Sequence, residues 1–174
     1  MPLTPAADAD LEAVADLVNA SYRGSGGWTS EVGVVDGART SAAALRADRV
    51  AAPQAVLLVW RDAPDAPILG CVWLEPAGDA VWYLGLLTVR PDLQDRKLGR
   101  AVLEAAESHA LAKGARRMRM TVVDIRDTLI AWYERRGYRR TGETQAFPYH
   151  DQRFGVPKRD DLAFIVLERE IISK

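Results

Sequence analysis

The sequence predicts a mixed α/β protein with a central, mostly antiparallel sheet flanked by helices, in a single domain over residues 1–174. Two observations carry this prediction. The elements indicated by apolar periodicity follow the order helix, helix, three strands, helix, strand, helix, strands. The third strand is apolar on both faces, as expected at the centre of a sheet, and a long helix joins it to the next strand. That connection is a parallel crossover, whereas the first half of the sheet is predicted to be antiparallel.

Two helices separated by a loop are predicted at the N-terminal end. Asp8 can cap the first helix, whose apolar residues recur at helical spacing as far as Tyr22, before a run of glycines. Residues 28–39 are polar and contain several glycines, which is typical of a loop. A short helix is predicted over residues 41–50, and Pro53 ends it.

Three strands are predicted next, over residues 55–60, 68–75 and 81–89. Turns rich in proline, glycine and aspartate separate them. The second strand alternates small and large residues. It contains Cys71, which is expected to be a buried small apolar residue and not a nucleophile.

The next elements are a helix, a strand and a second helix. Leu98 begins the apolar face of a long helix that ends at Gly114. Apolar residues alternate over 118–122, which predicts a strand. Asp127 can cap the last helix, and Gly137 stops it.

The C-terminal segment is predicted to finish the sheet with strands over residues 138–141 and 162–168. The stretch between them, residues 142–161, has no clear periodicity. Long irregular segments often carry function, so this stretch is interpreted as a functional loop or a flap.

Composition restricts the class of protein. The net charge is −1, so no overall basic field favours nucleic acid or an anionic membrane, and no partner of either kind is expected. The chain lacks a signal-like N-terminus and an apolar run long enough to span a bilayer, so a cytoplasmic location is expected. Two histidines and one cysteine do not make a typical zinc set, and no metal site is predicted.

The segment from Val89 to Ala101 is the most informative part of the chain, because it joins a strand to the start of a helix. Free backbone N–H groups and the positive end of the helix dipole favour an anion at such a position. The cations Arg96, Lys97 and Arg100 add to that field. A phosphate or pyrophosphate is therefore the expected ligand, and the alternative is a solvated, charged helix face.

Two motifs in this chain resemble those of the GNAT N-acetyltransferase superfamily. Gln94-x-x-Lys97-x-Gly99 is similar to the superfamily's acetyl-CoA pyrophosphate loop, with Lys97 at the usual position of the first glycine. Residues 131–138, Ala-Trp-Tyr-Glu-Arg-Arg-Gly-Tyr, look like the superfamily's helix that ends in Tyr-Glu-x-x-Gly-Phe/Tyr. A lysine in the loop is relaxed if its φ is negative and strained if its φ is positive.

The resemblance implies a GNAT-like acyl-CoA N-acyltransferase fold with acetyl-CoA as the cofactor and CoA as the product. The end of the central strand, Leu87, Thr88 and Val89, would pair its backbone with the pantetheine arm. The Leu87 N–H would be the donor to the oxyanion of the reaction. The pyrophosphate would contact Gln94, Asp95, Arg96, Lys97, Leu98, Gly99, Arg100 and Ala101.

The resemblance also implies direct attack of a neutral amine on the acetyl thioester. Tyr133 would be the general acid for the thiolate, since a phenol, with a pKa of about 10, can donate to a thiolate whose conjugate acid has a pKa of about 8.5. The alternative is that Tyr133 is a core aromatic residue. Glu75 is the first candidate for the base, with Glu31, Asp79 and His150 as competitors. Glu75 as an ordinary strand-end carboxylate is the alternative there.

The segment between the first two helices covers the acceptor site in the superfamily. The residues predicted here to contact the acceptor are Trp28, Glu31, Arg39, Trp73 and Tyr83. An aromatic and acidic pocket would favour a small cationic amine. The alternative is that the loop only caps the sheet.

The predicted function is transfer of acetyl from acetyl-CoA to a primary amine of a small molecule or peptide in a ternary complex. Antibiotics, polyamines, amino acids and peptide N-termini all remain possible acceptors. A non-catalytic CoA-binding sensor or scaffold of the same fold is the first alternative. A generic nucleotide-binding domain is the second, although neither common glycine-rich nucleotide loop is present. A homodimer is expected on base rates for small enzymes.

Overall fold

The computed structural model describes residues 3–24, 30–151, 153 and 155–173, which form a sheet packed between two layers of helices. The helices are α1 (Leu11–Arg23), α2 (Ala42–Ala51), α3 (Leu98–Ala112) and α4 (Asp127–Glu134). The strands are β1 (Leu3–Pro5), β2 (Val35–Asp36), β3 (Val56–Trp60), β4 (Gly70–Pro76), β5 (Val81–Val89), β6 (Arg117–Val123), β7 (Arg139–Ala146), β8 (Val156–Pro157) and β9 (Ala163–Glu170).

Seven strands form one sheet in the order β1-β3-β4-β5-β6-β9-β7, and this order confirms the predicted mixed fold. β5 lies at the centre, as its two apolar faces predicted. It pairs with β6 in parallel through the α3 crossover, and the other neighbouring strands are antiparallel. β2 and β8 form a separate two-stranded antiparallel pair.

Alternation along the strands distributes apolar side chains to two cores. On β3 and β4, Leu57 and Cys71 belong to a cluster with the apolar faces of α1 and α2. Leu58 and Val72 face the opposite way, into a cluster that contains residues of α3. Cys71 is fully buried, and burial raises the pKa of its thiol to about 12, so it is the inert, buried residue that the sequence predicted.

Both helix starts predicted from aspartates differ in detail from the structure. Asp8 opens a short 3₁₀ turn before α1, and the Asp10 carboxylate accepts the Ala7 N–H at 2.8 Å. Asp127 is the first helical residue of α4, and Arg126 occupies the N-cap position. In each case the aspartate lies in the first turn, where the helix dipole stabilises a negative charge.

The sequence analysis missed three strands of the structure and ended a fourth too early. β1, β2 and β8 were not predicted, because two or three residues are too few to show a periodic pattern. β7 runs to Ala146, well beyond the predicted end at Thr141. Its side chains are all exposed at the sheet edge, so its polar sequence carries no apolar alternation.

A third apolar cluster joins distant loops at one end of the sheet. Val35 of β2 packs with Val123, Phe147 and Leu162, and the ring of Phe147 stacks on Phe164 at 5.4 Å. The cluster holds the segments on both sides of the β2–β8 pair against β6 and β9. Within the described residues, the structure has no helix that combines the length and apolarity needed to cross a bilayer.

Candidate active site

Strands β5 and β6 separate partway along, and their separation opens a cleft at the centre of the sheet. Their parallel pairing runs from Val81–Arg117 to Tyr83–Arg119 and, within the described residues, extends no further. β5 nevertheless continues to Val89 alongside β4, and β6 continues to Val123 alongside β9. Beyond Tyr83 the facing edges of the two strands therefore present backbone N–H and C=O groups that an extended ligand can pair with.

A β-bulge lies in β5 at the point where the cleft opens. Between the pairs Cys71–Thr88 and Trp73–Gly85, one residue of β4 opposes Leu86 and Leu87 of β5. Leu86 adopts φ 51, and its carbonyl accepts a hydrogen bond from the Thr88 hydroxyl at 2.9 Å. A bulge redirects the backbone locally, and here it brings Leu87 to the wall of the cleft.

Two cavities adjoin this bulge. The first, the sheet cleft, has a volume of about 220 Å³ and lies between β5 and β6, below the segment that contains Glu31 and Arg39. The second, the loop cavity, has a volume of about 180 Å³ and lies between the end of β5, the start of α3 and α4. They share four lining residues: Tyr22, Leu87, Leu129 and Tyr133.

The loop cavity collects most of the residues that were predicted to bind the cofactor. Its lining includes the predicted residues Leu87, Thr88, Val89, Gln94, Asp95, Lys97, Gly99 and Arg100. Trp132 and Arg136 of the second motif complete the opposite wall. Arg96, Leu98 and Ala101 were also predicted; they belong to the same turn but lie outside the described lining, and Leu98 packs against the core.

The start of α3 supplies backbone donors to the loop cavity. The first hydrogen bond of the helix runs from the Ala101 N–H to the Lys97 carbonyl at 3.1 Å. The N–H groups of residues 98–100 precede that bond, so the helix itself does not use them. Together with the helix dipole, such groups favour an anion. The anion site expected from the sequence stays a prediction.

Lys97 adopts a left-handed conformation, with φ 62 and ψ 7. The negative φ that would leave a lysine relaxed in this loop is therefore not present. A non-glycine residue in this region costs roughly 1–2 kcal/mol. The turn thus requires the backbone geometry that glycine adopts most easily, and this chain meets the requirement with a strained cation.

Tyr133 lies at the junction of the two cavities, almost fully buried. Its ring makes edge contacts with Trp132 at 5.0 Å and with Tyr138 at 5.7 Å. Its hydroxyl makes no hydrogen bond to any described residue, and burial raises the pKa of the phenol above its usual value. The side chain therefore packs as a core aromatic while its hydroxyl stays protonated and available as a donor.

The sheet cleft is lined by an arginine-rich cluster that sequence reasoning only partly identified. The buried Glu31 carboxylate accepts hydrogen bonds from Arg23 and, at 3.3 Å, from Arg126. The guanidinium carbons of Arg39 and Arg126 lie 5.8 and 6.0 Å from the centre of the Tyr22 ring. Glu31 and Arg39 were predicted acceptor residues, and both line the cleft.

Tyr22 and Arg126 were not identified as site residues from the sequence. Tyr22 continued the apolar face of α1 and was counted with that helix. Arg126 occupies the start of α4, and its contact with Glu31 joins positions 95 residues apart. No local pattern signals a contact of that separation.

The remaining predicted side chains have different surroundings. Tyr83 lines the cleft, with its hydroxyl 3.5 Å from Thr121 Oγ1. Trp73 packs in the core beneath α1 and α2 and donates its indole N–H to Glu75 at 2.7 Å. Neither Trp73 nor Glu75 belongs to the described lining of the cleft, and Trp28 lies outside the described residues.

Of the three competing base candidates, only Glu31 belongs to the described lining of the cleft. Asp79 and His150 are exposed and do not belong to the described lining. Glu31 does line the cleft, but two guanidiniums hold its carboxylate. Among the described residues, no group of three or more histidine, cysteine, aspartate or glutamate side chains is placed to bind a metal ion.

Residues 28–138 match the model of the acetyltransferase (GNAT) family, and the chain belongs to that family. Among curated proteins, no sequence matches the chain.

Solved structures with the same fold span nearly the whole chain. The aminoglycoside 6′-N-acetyltransferase complexed with coenzyme A superposes with a TM-score of 0.69 at 14% identity, covering 100% of this chain and 99% of that one. The ribosomal-protein-S18-alanine N-acetyltransferase from Escherichia coli superposes with a TM-score of 0.68 at 14% identity, covering 99% of this chain and 94% of that one. An N-acetyltransferase from Staphylococcus aureus Mu50 superposes with a TM-score of 0.68 at 14% identity, covering 98% of each chain. At these identities the likeness establishes the shared fold.

Proposed function

We propose that this protein transfers an acetyl group from acetyl-CoA to a primary amine by direct attack in a ternary complex. The observation that carries the proposal is the junction of two cavities at Leu87 and Tyr133. One cavity has the features of an anion site, and the other opens between two strands. A donor held in the first and an amine held in the second would meet beside a backbone N–H and a protonated phenol.

The residues present fit the acyl donor. The pyrophosphate would be held by the N–H groups of residues 98–100 and by the cations Lys97 and Arg100, which line the loop cavity. Beyond its pairing with β6, the edge of β5 at Leu87–Val89 would bind the pantetheine amides as a further strand binds to a sheet. The Val89 carbonyl in this stretch also accepts the Ser21 hydroxyl at 3.1 Å. That one of the structural neighbours is a complex with coenzyme A supports this assignment.

The bound donor would supply an activated acetyl thioester, whose C–S bond breaks as the C–N bond forms. The Leu87 N–H would stabilise the negative charge that develops on the acetyl oxygen. Tyr133 would donate a proton to the departing sulfur and would regain one from solvent before the next cycle. The proton lost by the amine would pass to solvent through the cleft. Preorganised donors of this kind act in the transition state and raise the rate of the chemical step.

Calorimetric titration with acetyl-CoA, beside ATP and NAD as controls, tests the first half of the proposal. Selective micromolar binding of acetyl-CoA is expected, followed by thiol release when a suitable amine is added. Absence of acetyl-CoA binding would overturn the proposal. Binding without turnover on any amine would instead support the non-catalytic CoA-binding alternative.

A further inference from the structure

The charge balance of the sheet cleft carries information about the acceptor. Among the described residues that line it, the charged side chains are Glu31, Arg39 and Arg126. Arg23 contributes a further positive charge, since its guanidinium binds the same Glu31 carboxylate. The cluster therefore contains three arginines against one carboxylate, an excess of positive charge around a cavity of about 220 Å³.

This excess does not depend on which neutral groups the arginines contact. A guanidinium that donates to a carbonyl or a hydroxyl keeps its positive charge. The adjacent segment, residues 25–29, has the sequence Ser-Gly-Gly-Trp-Thr and contains no acidic residue. Two acidic residues lie close to Arg126 along the chain. Asp127 is exposed and lines an adjoining depression together with Glu31 and Arg126, and Asp124 accepts the Ala163 N–H at 3.3 Å.

The positive charge is concentrated near one ring. Arg39 and Arg126 both lie within about 6 Å of the centre of Tyr22, which itself lines both cavities. Arg126 is about 10% exposed, so solvent screens its charge poorly. Both guanidiniums line the same cleft, and guanidinium groups on the wall of a cleft favour the binding of a carboxylate there.

We propose, on the basis of the proposed function, that the acceptor amine carries a carboxylate that binds at Arg39 and Arg126. The Tyr22 ring would place this carboxylate beside the junction, with the amine directed towards Leu87 and Tyr133. A compact α-amino acid or the end of a short peptide-like acid fits the small volume of the cleft. This class differs from the cationic amine that the loop sequence predicted, because Glu31 is already bound to two arginines.

The positive charge around the cleft also affects the acceptor amine, which is the nucleophile of the reaction. A positively charged surrounding disfavours the ammonium form of a bound amine and favours the neutral form that attacks. The cleft would therefore promote loss of the amine proton without a free carboxylate base in contact with it. This agrees with the positions of Glu75, Asp79 and His150, all outside the described lining of the cleft.

The experiment compares matched amines that differ in one group. Alanine, leucine and phenylalanine are each assayed beside the corresponding amide and the corresponding decarboxylated amine, with thiol release as the readout. In the set that the enzyme acetylates fastest, kcat/KM is expected to be at least tenfold higher for the amino acid than for its amide or its decarboxylated amine. Equal or higher kcat/KM for the decarboxylated amines would overturn the inference and leave the proposed function intact.

Variants separate recognition of the carboxylate from general effects of charge. Arg39→Gln is expected to reduce the preference for carboxylate over amide to less than threefold, because kcat/KM should fall further for the carboxylate than for the amide. Arg46→Gln removes an arginine on α2 that pairs with Asp8, far from the cleft, and is expected to leave the preference unchanged. Equal loss of preference in both variants would indicate a long-range charge effect and would overturn the assignment to Arg39.

Binding measurements decide the outcome if no amine is acetylated. The same compounds are titrated calorimetrically into the protein saturated with CoA. Selective binding of the carboxylate series, weakened by Arg39→Gln, would support the inference even if the proposed transfer fails. Equal binding of all three series, or binding of none, would overturn it. Titration with acetyl-CoA alone tests the donor site separately, so the two failures remain distinguishable.

Discussion

Replacing Tyr133 with phenylalanine separates catalysis from packing at the junction of the two cavities. The ring contacts with Trp132 and Tyr138 do not involve the hydroxyl and are retained in the variant. The hydroxyl has no hydrogen-bond partner among the described residues, so its removal is expected to change the free energy of unfolding by less than about 0.5 kcal/mol. Affinity for acetyl-CoA is expected to stay within about twofold.

The effect on turnover is expected to be much larger. Loss of a general acid lowers kcat by roughly 10²–10⁴-fold, which corresponds to about 2.7–5.5 kcal/mol of transition-state stabilisation. Because burial raises the pKa of Tyr133 above the usual phenol value of about 10, the deficit should be constant over roughly pH 6–9. The assay measures kcat by thiol release, affinity by calorimetry and stability by urea denaturation.

Tyr138→Phe is the matched control, since it removes the hydroxyl of a neighbouring buried tyrosine. That hydroxyl donates to the buried Glu107 carboxylate at 2.8 Å, so its loss is expected to cost about 1–3 kcal/mol of stability with kcat unchanged. Tyr133→Phe should therefore lower kcat while it keeps stability, and Tyr138→Phe should lower stability while it keeps kcat. Wild-type kcat in Tyr133→Phe would refute the role of Tyr133 in the reaction.

Three further predictions concern the loop, the acid stability and the β2–β8 pair. Lys97→Gly and Lys97→Ala should weaken acetyl-CoA binding equally, because both remove the same cation. Residue 97 has φ 62, so the glycine variant should have a free energy of unfolding up to about 1 kcal/mol higher than the alanine variant in urea denaturation. Equal stability of the two variants would contradict backbone strain at this position. The hydrogen bond from Arg61 lowers the pKa of Asp10 in the folded protein. The ionised Asp10 therefore stabilises the fold at pH values above its unfolded-state pKa, and this stabilisation is lost as the pH falls through its folded-state pKa. Asp10→Asn should therefore cost about 1 kcal/mol at pH 7 and nothing near pH 2, and a constant difference in urea would contradict this. In Gly155→Ala, with φ 100, the new Cβ would lie 2.4 Å from the Asp36 carbonyl oxygen, so β2 and β8 should separate. The KM for the acceptor should then rise several-fold with acetyl-CoA affinity unchanged, and an equal loss of both would count against a local effect.

The central part of the fold was predictable because its signals are continuous in sequence. β5 has the predicted bounds, 81–89, and α3 begins at Leu98 as its apolar periodicity indicated. Both are long elements buried against neighbours on more than one side, so their apolar residues repeat over many positions. β7 gave no comparable signal, since an exposed edge strand needs no apolar face.

The candidate site likewise has one part that could be predicted from the sequence, the loop cavity, and one part that could not, the sheet cleft. The loop cavity is lined largely by one contiguous segment, so eight of its residues could be predicted from that segment and its motif. The sheet cleft is assembled from α1, the following loop, β5, β6 and the start of α4, which lie far apart in sequence. The pairing of Glu31 with Arg126, and the approach of Arg126 to Tyr22, depend on tertiary structure, and sequence spacing contains no record of either.

The separation of β5 from β6 has a consequence for how this protein can change over evolutionary time. The pairing surface it opens consists of main-chain groups, which every substitution except proline preserves. The side chains that surround the cleft come instead from several loops, which tolerate exchange more readily than the sheet does. A lineage that keeps this strand geometry can therefore replace the walls of the cleft and acquire a new selectivity without rebuilding the part of the site that the backbone defines.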